Sequence, residues 1–380
     1  MAAGGPSASG EGATPVDVLL LFPDDWAAYS PTLLRLTQRL SRSFKVRAHI
    51  MDTGRVDNSL LDPALFRRIE VPARMAKLLK MLRLYRPFRT LALARSARRE
   101  LAPSTRIIAI DADGAAASRL LGSDFHFLSL EVGRHPVLRR LIDRHALSVT
   151  IQSPERLDYL LGDQLASRLP VFYIQNAPDA PATVPVARHV AAPAHPRLIY
   201  LGHVMPLHGL VPMLELLRAW PEASLTLQGI QTRQGLDLMH GRYQDLLDAN
   251  RLIIGKDYVP EEAITTFLSG FDIGLCFYEL GKHQADFNYQ SSPAGKMFNY
   301  FAAGLPVIAS DLIGLRPVSL HHAGIQVQSH DARTLLAAGH AIMANYATYS
   351  EGASRAAIHY DFQSSAERLL AFLRANAVRP

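Results

Sequence analysis

The stretch Asn288–Asp311 (NYQSSPAGKMFNYFAAGLPVIASD) carries the densest concentration of potential chemistry in the 380-residue chain. It reads as a loop, a helix entrance, a helix over Ala294–Ala303, a Gly-Leu-Pro turn and a buried strand over Pro306–Ala309. The first backbone N–H groups of a helix have no partner within it. Together with the helix dipole they favour a phosphate at that end. Ser291 and Ser292 add hydroxyls there, Gly295 lets a ligand approach the backbone, and Lys296 adds a formal positive charge. An ordinary capped helix with a surface lysine has the same spacing, so spacing alone leaves both readings open.

Other candidate groups sit where apolar runs end. Asp24-Asp25-Trp26 follows Val16–Phe22, and Glu131 follows Phe125–Leu130. A carboxylate in such a place can orient or deprotonate a hydroxyl. It can equally be a solvated loop acid, and Glu131 is the better candidate of the two. Asp111-Ala112-Asp113 follows the run Arg106–Ile110 and reads as a turn leading into a helix at Ala115–Ala117. No spaced set of metal ligands is recognisable, and none is expected.

The elements that must position these groups alternate along the chain. Val16–Phe22, Lys45–Ile50, Arg106–Ile110, Phe125–Leu130, Ser148–Gln152 and Val171–Gln175 read as strands, with helical patterns between them. Residues 177–196 hold five prolines and little bulky apolar content, as a linker does. The alternation then restarts with strands at Leu198–Leu201, Leu225–Leu227, Leu252–Ile254, Ile273–Phe277 and Pro306–Ala309 and ends in a helix over Ser364–Leu373. Such alternation predicts doubly wound parallel sheets. The expected organisation is a disordered tail over 1–15, a Rossmann-like domain over 16–182, a linker over 183–196 and a second Rossmann-like domain over 197–363. The last helix, about 364–378, is expected to return to the first domain. Ligands in such sheets bind beyond the carboxyl ends of the strands.

Composition narrows the class. Hydrophobic residues at 48% and charged residues at 19% exclude a disordered chain. The single cysteine, Cys276, excludes a disulfide framework. No signal-like stretch and no run of ~20 apolar residues is visible, so a cytoplasmic protein is expected. The net charge of +6 is unevenly spread, because residues 67–100 carry eleven Arg or Lys and two acids. One basic segment on a mildly acidic remainder points to an anionic surface rather than to nucleic acid. Met75, Leu78, Leu79, Leu82 and Leu84 intersperse with Arg74, Lys77, Lys80, Arg83 and Arg86, with Pro87 expected to divide two helices. Residues 67–99 are therefore expected to meet an anionic membrane surface from the cytoplasmic side as a peripheral protein.

The run SSPAGKMFNYFAAGLPVIASD resembles the donor-binding segment of glycosyltransferases of the two-Rossmann-domain (GT-B) type, near family 4, where P-x-K-x-x-E-Y-x-A-x-G-x-P-V-I precedes a strand. Tyr200–Leu210 resembles the family's G-x-x-x-x-K-G opening of the second domain. LTLQG at Leu225–Gly229 resembles its central strand and glycine, Tyr258–Phe277 its V-x-x-E…A-D-I-G-L segment, and Asn176–Asp179 its Asn-Gly-x-Asp. The resemblance is strong over about 197–315, fair over 106–180 and weak before 100.

It implies a GT-B fold and metal-independent transfer of a sugar from a nucleotide-sugar to a saccharide or lipid-linked acceptor, in polysaccharide or glycolipid assembly. It implies a leaving-group site at Ser291, Ser292, Gly295 and Lys296, faced by Gly202 and His203, with Gly229 nearby. The base would lie against the backbone at Tyr258 and Val259, and the ribose against Asn299. Catalytic roles would fall to Lys296 and to Glu131 or Asp25, the FLSLEV segment resembling an S-L-E motif of some members. The chain departs from the pattern where Asn299 and Ser291 replace acidic residues and where His203 and His208 replace basic ones, which leaves stereochemistry open. A non-catalytic relative that binds a nucleotide-sugar or glycan as a partner subunit, and a sugar-nucleotide epimerase, share the same plan. Asp111-Ala112-Asp113 also resembles the metal motif of single-domain glycosyltransferases, but the second-half motifs argue for the other architecture.

Overall fold

A computed structural model describes residues 16–180, 194–255, 259–280 and 285–376. The expected tail, most of the expected linker and Tyr258 lie outside them. The chain divides into two compact units, one of Met1–Tyr173 with Ala366–Pro380 and one of Ile174–Ser365.

In the first unit the strands are β1 (Val18–Phe22), β2 (Val46–Asp52), β3 (Phe66–Glu70), β4 (Arg106–Ile110), β5 (Phe125–Leu128), β6 (Ala146–Ile151) and β7 (Val171–Tyr173). They form one sheet in the order β3-β2-β1-β4-β5-β6-β7, with every pairing parallel. VLLLF of β1 is buried along its whole length, as a strand covered by helices on both faces must be. The second unit holds β8 (Arg197–Leu201), β9 (Ser224–Gln228), β10 (Leu252–Gly255), β11 (Ile273–Cys276), β12 (Val307–Ser310) and β13 (Gly324–Val327). Their order is β10-β9-β8-β11-β12-β13, again parallel throughout. Cys276 lies fully buried in β11.

Each sheet reverses its winding once, between β1 and β4 in the first and between β8 and β11 in the second. Connections leave in opposite directions there, opening a crevice beyond the carboxyl ends.

Several expectations change. Two strands escape the sequence reading: β3 (FRRIE) because charged residues alternate along an edge strand, and β13 (GIQV) because it is short and half-polar. The segment 67–99 is therefore not one device. It begins as β3, where Arg67 donates to Glu100 at 2.7 Å, and continues as helices Ala73–Met81 and Tyr85–Ala97. The break falls at Leu82–Leu84, where Arg83 has φ 58°, and not at Pro87. Pro87 sits in the first turn of the second helix, where no intrahelical N–H is lost. Asn176 and Ala177 belong to the second unit, where Ala177 packs with Met297 and Phe298. Helix Phe362–Ala375 begins in the second unit and ends in the first, where Phe372 meets the rings of His126 and Phe172.

The carboxyl ends of β8 and β9 show how tightly the second crevice is drawn. Gly202 donates to the Gln228 carbonyl at 2.9 Å. A Cβ on Gly229, at φ +133°, would lie 2.3 Å from the Gly202 carbonyl oxygen. Gly229→Ala is therefore expected to destabilise the protein by at least about 1–3 kcal/mol through backbone strain alone, measured as a lowered urea midpoint with an unchanged slope.

Candidate functional site

The helix Gly295–Ala302 lies over the β8–β11 crevice because Tyr300 fastens it there. Tyr300 is fully buried, and its hydroxyl accepts from Leu201 N at 2.9 Å and lies 3.2 Å from the Leu275 carbonyl. Its ring occupies the space a side chain at Gly274 would need, at 2.5 Å from a built Cβ. Lys296 is one turn earlier on the same face. Its ammonium stands 3.9 Å from the centre of the Tyr200 ring and 5.2 Å from that of Tyr278. It also lies 3.4 Å from where a Cβ on Gly202 would be. No carboxylate pairs with it among the described residues. Burial pushes its pKa down to about 8, because the rings compensate only part of the lost hydration.

The rest of the cluster is locked by main-chain bonds. The Tyr200 hydroxyl donates to the His203 carbonyl at 3.0 Å, and His208 Nδ1 donates to the same oxygen at 3.0 Å. The His203 and His208 rings stack at 6.3 Å, and His208 meets Tyr278 at 5.5 Å. Burial lowers the His208 pKa, and the Lys296 charge lowers it further. Tyr278 N donates to Ser310 Oγ at 2.9 Å, which holds the ring's backbone at the end of β11.

Among the predicted residues, the structure thus brings Gly202, His203, Gly229 and Lys296 together at one sheet edge. Ser292 is exposed at the end of helix Phe287–Ser291, and Gly295 opens the next helix with Asn176 against it. Asn299 is half-buried three residues after Lys296, with its amide unbonded among the described residues, and Val259 is half-buried beyond β10. Ser291 corrects the expectation. It is fully buried, and its hydroxyl donates to the Phe287 carbonyl at 2.7 Å, which turns it away from any ligand. A cavity of about 650 Å³ beside the cluster is lined by Met205, Leu207, Glu279 and His330, and not by Lys296.

The first unit holds a second set of polar groups beyond β1, β4 and β5. Asp25 is an anchor for its own loop: Thr53 Oγ1 donates to its carboxylate and Asn58 Nδ2 donates to its carbonyl at 2.9 Å. Glu131 is exposed. Arg89 ties Asp24 at 2.7 Å and also Asp113, which Arg86 meets at 3.1 Å.

Between them stands Asp111, which the sequence reading assigned to a turn. It is instead the first residue of helix Asp111–Leu120, in the left-handed region at φ 53°. Its Oδ1 accepts from Leu130 N at 2.9 Å and Glu131 N at 3.1 Å. Its Oδ2 is shut from water with no hydrogen-bond partner. Burial pushes its pKa up to about 7, against the pull of those two N–H groups, with the charges of Glu131 and Asp24 adding to the rise. Fully buried Arg156, which donates to the Leu130 carbonyl at 2.8 Å, shares this neighbourhood. The available signal was an acid immediately after a central strand at the winding reversal; what sequence hides is its backbone conformation. Among the described residues no three His, Cys, Asp or Glu side chains converge as metal ligands.

Comparison with known proteins places this geometry. No protein-family model matches the chain, and no curated protein matches it. Solved structures do. Sucrose-phosphate synthase from Thermosynechococcus elongatus superposes with a TM-score of 0.67 at 18% identity, over 94% of this chain and 98% of that one. HepE (Alr3699) from Anabaena, in complex with UDP, gives 0.65 at 14% identity over 94% and 100%. An alpha,alpha-trehalose-phosphate synthase (UDP-forming) from Burkholderia vietnamiensis gives 0.61 at 13% over 94% and 99%. The fold is GT-B. At these identities the likeness establishes the GT-B architecture of the chain and nothing finer.

The Lys296 environment has a direct signature. Competitive acetylation across pH is expected to label Lys296 with an apparent pKa near 8, against ~10.4 for an exposed lysine. A value at the ordinary position would show that the ammonium is fully hydrated.

Proposed function

We propose that this GT-B chain is a glycosyltransferase that moves a sugar from a nucleotide-sugar, with UDP as the nucleotide, to a hydroxyl of a saccharide or lipid-linked acceptor in polysaccharide or glycolipid assembly. The observation that carries this reading is the Lys296 ammonium, unpaired by any carboxylate among the described residues, at the carboxyl edge of the β8–β11 reversal beside Gly202. A cation kept partly dehydrated and unneutralised suits a polyanion. Anabaena HepE in complex with UDP and with UDP-glucose, on the same fold, supports the choice of donor.

In this reading the diphosphate meets Lys296 and the backbone at Ser292 and Gly295. The exposed His203 reaches it from the opposite side of Gly202. Asn299 offers its free amide to the ribose diol, as a neutral partner, and the backbone near Val259 borders the base. Negative charge grows on the leaving diphosphate as the sugar departs, so a fixed cation stabilises the transition state more than the ground state. Lys296 supplies that charge without a metal ion. Within the first unit, Asp111 and Glu131 replace Asp25 as the carboxylates suited to an acceptor hydroxyl. Asp111 holds the Glu131 backbone through Oδ1, and the exposed Glu131 carboxylate is the group that accepts the hydroxyl proton.

Two substitutions test the two edges. Lys296→Ala is expected to lower turnover by roughly 10²–10³ while weakening UDP binding less, as read by steady-state kinetics and calorimetry. Turnover at the wild-type level would exclude the assigned role. Asp111→Asn keeps an acceptor for both N–H groups and tolerates the left-handed backbone. It should leave thermal stability equal or higher, because a buried carboxylate is costly to ionise. Linkage gives the same sign. The wild type should lose stability as pH rises from about 4 to about 7, the window between the ordinary carboxyl value and the raised one, and the variant should lose that slope. Chromatography of UDP-sugar with and without acceptor separates transfer from epimerisation, which needs no acceptor.

A further inference from the structure

The helix Ala73–Met81 does almost nothing for the fold of its own unit. Of its nine residues only Ala76 is buried. Met75, Leu78 and Met81 are 38%, 49% and 73% exposed, and the linker residues Leu82 and Leu84 are 53% and 51% exposed. Met75, Leu78 and Leu82 recur at helical spacing and form one outward stripe. Ala76 and the half-buried Leu79 face inward instead. Arg74, Lys77, Lys80 and Arg83 are all exposed beside the stripe, and no Asp or Glu occurs from Val71 to Arg99. A helix that served as a lid on the core would turn its leucines inward; this one turns them out.

The adjoining cations are not part of this face. Arg89 is engaged by Asp24 and Asp113, and Arg86 by Asp113. Arg67 and Arg68 pair with Glu100 and Asp52 from β3. The surface that remains is thus narrower than the whole basic segment: a stripe of five apolar side chains edged by four cations.

We propose that the helix Ala73–Met81, with Leu82 and Leu84, is a docking surface for an anionic membrane, lying in the headgroup layer with Met75, Leu78, Met81, Leu82 and Leu84 towards the acyl chains. The choice of occupant follows from charge. A second copy would bring four cations against four cations across the same stripe, whereas anionic lipids neutralise them. Exposed leucines edged by Lys and Arg are the pattern of an interfacial helix, and a docked surface hides apolar area that is costly to leave in water. The inference does not depend on glycosyl transfer.

The test uses the full chain and flotation with vesicles of equimolar phosphatidylglycerol and phosphatidylcholine, and with phosphatidylcholine alone. Wild type should float with the anionic vesicles at low ionic strength and release at about 1 M salt, where the screening length is about 3 Å. Lys77→Gln with Lys80→Gln and Arg83→Gln should reduce partitioning roughly a hundredfold, about fivefold per cation. Leu78→Ser with Met81→Ser, which keeps every cation, should also reduce flotation with the anionic vesicles at low salt. All five positions are exposed, so folding should be retained, which circular dichroism and a UDP thermal shift check separately. Failure of wild type to float with anionic vesicles at low salt overturns the proposal. So does equal flotation by the charge variant, or concentration-dependent dimerisation that Leu78→Ser with Met81→Ser removes in the absence of lipid.

Discussion

The second unit is organised around Tyr300 in the fork where β8 and β11 part. Those strands pair only at Ile273–Leu198 and Gly274–Ile199 before the winding reverses. Beyond that point their backbone groups would face an empty crevice, and buried peptide groups without partners are costly. The Tyr300 hydroxyl meets Leu201 and Leu275 on the two sides, and Gly274 leaves room for its ring. The helix is thereby fixed in register with the sheet. Lys296, one turn earlier, is set against the Tyr200 ring. Its displaced pKa is a consequence of where Tyr300 is tied.

Much of this was legible beforehand for a physical reason. Parallel strands covered on both faces are nearly continuous apolar runs, so VLLLF and RIIAI announce themselves, and most predicted boundaries fall within two or three residues of the observed ones. The helix Gly295–Ala302 was visible through its Pro-Ala-Gly entrance and its closing Gly304. Edge strands carry no such signal. β3 reads FRRIE because one face is wet, and its arginines were counted into a basic patch although they neutralise Glu100 and Asp52.

The candidate site was legible in residue type and less so in direction. Ser291 and Ser292 are chemically identical in sequence, yet one closes a short helix with its hydroxyl turned onto the Phe287 carbonyl and the other faces out. Asp111 shows the converse. Its role depends on a left-handed backbone and on two N–H groups delivered from Leu130 and Glu131, nineteen and twenty positions away. Neither is encoded locally. Asp25, by contrast, looked available but is spent on its loop through Thr53 and Asn58.

Cys276 carries a further consequence. It is the last residue of β11, with no exposed surface, and burial pushes its thiol up to about 12. At neutral pH the reactive thiolate is then on the order of one part in 10⁵. Because this is the chain's one sulfhydryl, disulfide reagents find no thiol handle on the native protein. A cysteine introduced anywhere on the surface would react alone, without first removing a native one.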